Sequence, residues 1–352
     1  MLALVGYPLG MRFRFLDPAP DSPAGHLAEH IAARYDDRAA LERFAAGLDV
    51  VTYEFENVPG EAARYLSARL PVYPPPGALT VSQDRLTEKT FFREHGIPTP
   101  DFAAVSTLDD LRAGLERVGL PAVLKTRRFG YDGKGQAVLR SPGEADAAWG
   151  ALGAGERPLI LEAFVAFRRE LSVLAVRGRG GETAFYPLVE NHHREGILRL
   201  SVAPAPGLTP ELQRLAEGYA GRALDALGYA GVLAIELFEV DGGLMANEMA
   251  PRVHNSGHWT TEGAETSQFE NHLRAVAGLP LGSPAPRGYS AMVNIIGTLP
   301  DPAAVLAVDG THLHLYGKEP RAGRKLGHVT VRGDDQGVVM ERAGVVLELV
   351  GG

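Results

Sequence analysis

The chain contains no cysteine. That excludes a disulfide scaffold and every thiolate mechanism, and it accords with a reducing, cytoplasmic setting. Long hydrophobic runs are missing too: no uninterrupted apolar stretch approaches the about 20 residues of a bilayer-spanning helix, so no membrane partner is expected. The opening residues Met1-Leu2-Ala3-Leu4-Val5-Gly6-Tyr7-Pro8 have neither the charged start nor the small-residue cleavage site of a signal peptide. Positive charge is not in excess. The formal net charge is -8, which gives no support for a nucleic-acid partner. Internal repeats and low-complexity tracts are absent.

What remains is a 352-residue chain, 45% hydrophobic and 22% charged, with the composition of a soluble globular protein. It is too long for one typical compact domain, so two or three subdomains are expected. The first stretch reads as α/β. Arg12–Leu16 alternates like a strand and stops at Asp17-Pro18, apolar positions from Ala28 to Phe44 recur at helical spacing, and Asp49–Phe55 is a second strand. Such alternation predicts a parallel sheet. Pro74-Pro75-Pro76-Gly77 is the candidate linker, followed by a helix from about Ser82 to His95. Short strands then surround a glycine-rich segment. Asp241-Gly242 joins Gly231–Val240 to Leu244–Met249 as a hairpin, and Ser267-x-x-Glu270 opens a helix running to Gly278. After Pro280 the composition turns strand-rich. The expected division is an N-terminal parallel α/β domain (1–75), a central α+β domain (76–280) and a small C-terminal β-rich domain (281–352).

Three constellations carry chemistry. In the first, a strand delivers Lys125 to a loop containing Gly130-Tyr131-Asp132-Gly133-Lys134-Gly135, and a second strand leaves from Gln136. Backbone donors and a cation converging in this way suit phosphate. It is not a Walker P-loop, because no helix follows. The competing reading is an ordinary hairpin whose lysine protects a sheet edge. In the second, Glu236 and Glu248 lie almost symmetrically about the Asp241-Gly242 turn, so they should oppose each other. Strand alternation puts Ala234, Phe238, Ala246 and Ala250 on their face. Like charges in that position need a shared proton, a basic partner or a divalent cation, and Asn247 adds an oxygen beside them. In the third, Arg252 offers a planar fork for a carboxylate, bicarbonate or phosphate. Zinc on His254-x-x-x-His258 is disfavoured, since Asn-Ser-Gly between the histidines argues for a loop. His192-His193 read as exposed loop histidines, and Glu54 and Glu56 alternate on one face of a strand end that suits a solvated face as well as a site. Lys318, Arg324 and Lys325 form a basic segment that meets either a phosphate or water.

Ser82-Gln83-Asp84-Arg85-Leu86-Thr87-Glu88-Lys89, Lys125 with Gly130–Gln136, and Asn247-Glu248-Met249-Ala250-Pro251-Arg252-Val253-His254-Asn255-Ser256-Gly257-His258 occur in an order and spacing that resemble the 5-(carboxyamino)imidazole ribonucleotide synthetase family. The resemblance covers nearly the whole chain, and its last segment is the most specific. It implies an ATP-grasp fold and, as ligands, ATP, two Mg²⁺ ions, bicarbonate and 5-aminoimidazole ribonucleotide, with a homodimer as the assembly. By position, Arg85, Lys125 and the Gly130–Gln136 loop (Tyr131, Asp132, Gly133, Lys134 and Gly135 included) would bind the triphosphate, with Asn247 beside them. Glu162, Ala163, Phe164 and Val165 would form the adenine hinge, with Glu170 on the ribose and His193 nearby. Glu236 and Glu248 would hold Mg²⁺. Arg252, Asp132 and His254 would be catalytic. Tyr131, Asp132, His254 and Glu54 would face the imidazole nucleotide, and Lys318 with Arg324 or Lys325 would approach its phosphate. Members of the family begin with a strand and a glycine-rich turn ahead of the Met-Leu-Ala-Leu helix. The chain given starts at that helix, so its first sheet is expected to lack that strand. The competing readings are another ATP-grasp ligase, such as a formate-dependent glycinamide ribonucleotide transformylase or a biotin carboxylase, and a non-catalytic nucleotide-binding protein.

Overall fold

Residues 1–130, 135–153 and 157–351 are described by the computed structural model. In the N-terminal region, Arg14–Asp17 and Glu29–Ala32 pair in parallel, and Val51 bridges Val72 in parallel. Helices Arg38–Ala45 and Gly60–Ser67 cover them through Leu41, Phe44, Ala62 and Leu66.

Three sequence expectations are corrected here. The stretch 28–44 is not one helix: Glu29–Ala32 is a strand, and the helix begins only at Arg38, where the Asp37 carboxylate accepts the Ala40 N–H. Asp49–Phe55 forms no strand: only Val51 pairs, in an isolated bridge to Val72 made by its bonds with Pro71 and Tyr73. The rest turns into the cleft, where the carbonyls of Glu56 and Val58 accept from Gln83. The proline run is not a linker, because Pro75 caps and Pro76 begins a helix, Pro76–Ser82, which suits a residue with no N–H to satisfy. A separate helix, Arg85–Glu94, starts after Asp84, whose carboxylate accepts from Leu86 and Thr87.

Two antiparallel sheets form the body. The smaller has the order Phe102–Val105, Leu159–Ala163, Ala122–Thr126, Gln136–Leu139. Helix Leu108–Val118 buries Leu111 and Leu115 against it. The larger is nine-stranded and runs Gly243–Ala250, Gly231–Val240, Arg169–Arg177, Val189–Arg194, Ile197–Ala203, Tyr289–Ile296, Lys325–Gly333, Thr311–Leu315, with Thr183–Phe185 added to Arg169–Arg177. The C-terminal strands therefore extend the central sheet. One face at the hairpin end packs on helix Pro210–Ala226 through Leu233, Ile235, Leu237, Ala220 and Leu224. At the other end Val293, Val329 and Val331 pack on Val339, Ala343 and Val346 of helix Gln336–Leu349. Each such fully buried aliphatic side chain contributes about 1.5–3 kcal/mol, which fixes the frame around the cleft. Among the described residues no helix is long and apolar enough to cross a membrane.

Candidate active site

The facing surfaces of the two sheets, the N-terminal region and the segment Leu315–Lys318 line one cleft of about 2520 Å³. From the small sheet come Val123, Lys125, Gln136, Val138, Glu162 and Ala163, with Phe164 and Val165 just beyond. Lys125 Nζ donates to Glu162 Oε2 at 3.0 Å, and the buried Lys89 Nζ lies 3.4 Å from the same oxygen. Burial alone would raise the Glu162 carboxyl. The charges of Lys89 and Lys125 outweigh it and bring the group from 4.5 down to about 2. Glu162 thus anchors a lysine from strand Leu159–Ala163. Phe164 stays half exposed at the rim, a flat apolar surface facing the cleft. Gly130, Arg85 and Gln136 also line the cleft. The Gly135 carbonyl accepts the Thr126 N–H, and Gly135 has φ +74°, a conformation a Cβ would strain. Tyr131, Asp132, Gly133 and Lys134 lie outside the described residues.

The large sheet supplies the acidic side. Glu236 and Glu248 are direct partners in the antiparallel ladder. The register shifts between Glu236 and Leu237: Leu237 pairs with Ala246, so Asn247 is the extra residue of a bulge. That overturns the expected face of Ala246. It packs with Ile235, Leu237 and Met249 on the helix-covered side, while Ala234 and Ala250 share a different cluster. The bulge lets consecutive residues Asn247 and Glu248 both reach the cleft. Each glutamate has found a basic partner. Arg85 Nη1 donates to Glu248 Oε2 at 2.8 Å, and His254 Nε2 lies 3.3 Å from Glu236 Oε1. Asn247 Oδ1 is buried without a hydrogen-bond partner, an oxygen left over for a ligand.

Glu170, His193 and Glu236 bring one ligand atom each within 4.8 Å of one another. His193 Nδ1 is 3.1 Å from Glu170 Oε2; burial works against its protonation, but that carboxylate prevails and raises its pKa. The loop expectation fails for this pair of histidines, and the expected exposure holds for His192 but not for His193. Both lie on strand Val189–Arg194, where alternation turns His193 inward and leaves His192 half exposed beside Glu190.

Farther along, Arg252 is fixed by two partners. Its Nε donates to Glu56, and Nη1 donates to the Val253 carbonyl at 2.9 Å. Burial pushes the Glu56 carboxyl up, but the guanidinium overrides it and holds the group below its ordinary value. Glu56 is therefore no solvated strand end, and its partner 196 residues away gave no local signal. His254 opens a single 3-10 turn, Asn255–Gly257, with Nδ1 2.8 Å from Ser256 Oγ, and burial lowers the pKa of His258 well below normal. The backbone of His254 is held from both sides by Gln268, whose Oε1 accepts its N–H and whose Nε2 donates to its carbonyl. Among the described residues the cluster of three possible ligands around Glu236 includes neither His254 nor His258. Lys318 and Lys325 line the cleft near Glu54, whose Oε1 accepts the Leu2 N–H. Arg324 does not; its Nη1 donates to the Glu319 carbonyl at the exposed surface. Burial, with the charges of Arg324 and Lys325, lowers the Lys318 pKa.

Residues 90–269 match the ATP-grasp domain, 1–83 the ribonucleotide synthetase preATP-grasp domain, and 290–342 the phosphoribosylaminoimidazole carboxylase C-terminal domain. Over 350 residues, 99% of this chain and 96% of the relative, the sequence is 57% identical to the N5-carboxyaminoimidazole ribonucleotide synthase of Pseudomonas aeruginosa. The chain belongs to the N5-carboxyaminoimidazole ribonucleotide synthase family. It is accordingly an ATP-grasp ligase, with the mixed α/β architecture of that family. The synthetase from Thermus thermophilus superposes with a TM-score of 0.96 at 62% identity, over 100% of this chain and 96% of the other. The Aspergillus clavatus enzyme, solved in complex with ADP and 5-aminoimidazole ribonucleotide, superposes with a TM-score of 0.92 at 31% identity, over 100% and 95% of the two chains.

Proposed function

We propose that the chain carboxylates 5-aminoimidazole ribonucleotide to N5-carboxyaminoimidazole ribonucleotide, using ATP and bicarbonate, in purine biosynthesis. One observation carries this reading. Within a single cleft the opposed pair Glu236 and Glu248 stands between a nucleotide end at Lys125 and Glu162 and an anion end at Arg252, His254 and Lys318.

ATP lies between the sheets, its base against Phe164 and the hinge, its ribose at Glu170 and His193, and its phosphates toward Lys125, Arg85 and the Gly130–Gln136 loop. Glu236, Glu248 and the unpartnered Asn247 oxygen are a hard oxygen set that fits Mg²⁺. When bound, the metal would neutralise charge on the transferring phosphoryl group. Arg252 orients bicarbonate, whose oxygen attacks the γ-phosphorus while the bond to the ADP oxygen breaks, giving carboxyphosphate and ADP. The exocyclic amine then attacks the carboxyl carbon, the C–O bond to phosphate breaks, inorganic phosphate leaves, and the amine gives up a proton. His254, steered by Glu236 and Ser256, is placed to handle that proton, with Asp132 as a further candidate. Lys318 and Lys325 take the ribonucleotide phosphate. Carboxyphosphate hydrolyses readily, so cations and a closed, water-poor cleft are what the chemistry needs. A cytoplasmic homodimer completes the proposal.

The test is ATP hydrolysis with magnesium and bicarbonate, with and without 5-aminoimidazole ribonucleotide. Stimulation by that nucleotide supports the reading; hydrolysis indifferent to it points to another acceptor.

A further inference from the structure

Helix Arg85–Glu94 presents Arg85, Glu88 and Lys89 on one face, at positions i, i+3 and i+4. Those three side chains grip three successive residues of the bulged strand. Lys89 Nζ donates to the Asn247 carbonyl at 2.7 Å, Arg85 holds the Glu248 carboxylate, and Glu88 Oε1 accepts the Met249 N–H at 2.8 Å. Lys89 also reaches the Ala246 carbonyl at 3.4 Å and Glu162 Oε2 at 3.4 Å. Its three ammonium protons thus face three acceptors, and the residue is wholly enclosed, at 0% exposure.

A bulge sets two residues against one and takes backbone groups out of the ladder. Here the carbonyls of the extra residue and of the residue before it accept from the lysine. Burying an ammonium is costly, and a well-packed apolar side chain would serve stability as well or better. What an apolar side chain could not do is hold the bulge in one shape while tying it to Glu162, and through Glu162 to Lys125 on the opposite sheet. We propose that Lys89 is a positioning residue that fixes the aim of Asn247 and Glu248 at the metal and their spacing from Lys125. This rests on the assignment of Glu236 and Glu248 to magnesium made above.

The experiment is calorimetric titration of ADP into the full chain, with and without Mg²⁺, for the unaltered protein, Lys89→Met and Lys89→Arg. In the unaltered protein magnesium should tighten ADP binding. In Lys89→Met that gain should shrink about tenfold or more, the size of effect known for residues that orient metal ligands, while metal-free ADP affinity stays within about threefold. A general structural defect would weaken both titrations together, and that result overturns the inference. So does a full magnesium gain in folded Lys89→Met. If Lys89→Met does not fold, Lys89→Arg decides: it keeps the charge but puts a planar head before the three acceptors, and an undiminished gain there overturns the inference. Absence of any magnesium effect in the unaltered protein overturns the site assignment, and this inference with it.

Discussion

The guanidinium of Arg252 is held in its plane by the carboxylate of Glu56 on one side and the Val253 carbonyl on the other. Two fixed bonds leave the fork pointing in one direction, so the arginine meets a planar anion without first being ordered. Glu56→Gln keeps the shape and removes the charge. Bicarbonate KM should rise about tenfold, in keeping with the 1.5–3 kcal/mol of a charged hydrogen bond, while ATP KM changes less than about twofold. Steady-state kinetics with varied bicarbonate checks this, and an equal change in both constants would refute it.

Lys125 and Lys89 share Glu162, but only Lys125 opens onto the cleft. Lys125→Met should lower kcat/KM for ATP by about two orders of magnitude, with a small loss of melting temperature because Lys89 still neutralises Glu162. Glu162→Gln leaves two lysines beside a neutral amide and should cost about 3 kcal/mol by denaturant unfolding. The pH dependence has a definite sign. The folded-state pKa is depressed from 4.5 to about 2, so this stabilisation is present above pH 4.5 and is lost as pH falls toward 2. The difference in stability between the unaltered protein and Glu162→Gln should narrow over that window, and a constant difference would count against the pairing.

Of the three basic residues near the C-terminus, geometry separates Lys318 from Arg324. Lys318→Ala should raise KM for 5-aminoimidazole ribonucleotide at least about tenfold, as loss of a charged contact would, and leave ATP KM alone. Arg324→Ala should change neither, since its guanidinium bonds the Glu319 carbonyl outside the cleft. Because burial and neighbouring cations lower the Lys318 pKa, its positive charge fades earlier as pH rises, and that KM should climb on the alkaline side in the unaltered enzyme but not in Lys318→Ala.

Ligand binding stabilises the folded state by mass action, by about 2.7 kcal/mol at a hundredfold excess over Kd, and so raises melting temperature. Magnesium with ADP should therefore stabilise the unaltered chain more than ADP alone. In Glu236→Ala/Glu248→Ala the magnesium increment should vanish, as read by differential scanning fluorimetry. Its survival would move the metal elsewhere.

The sequence made the Glu236–Glu248 pairing legible, but for an incomplete reason. The turn pairs Val240 with Gly243 and Leu237 with Ala246, a register that would put Asn247, not Glu248, opposite Glu236. The bulge adds the residue that corrects the count, and no periodicity announces a bulge. Glu29–Ala32 went astray because four residues fit a helical or an alternating pattern equally well. Lys89 was visible only as one letter of a motif. Its burial depends on acceptors from Ala246, Asn247 and Glu162, far away in sequence, as does the tie between Glu56 and Arg252. Local pattern exposes strands, turns and caps; it does not show which distant charge a buried group will meet.

The large sheet carries both the hairpin of Glu236 and Glu248 and, past four further strands, the pair of strands that brackets Lys318. The segment of Lys318 and the hairpin of the two glutamates are therefore joined through one continuous hydrogen-bonded plate. The smaller sheet, which carries Lys125, pairs with none of the strands of that plate. The span from Lys318 to the two glutamates is accordingly set by the plate, like a ruler, and a shift of the smaller sheet would leave it unchanged.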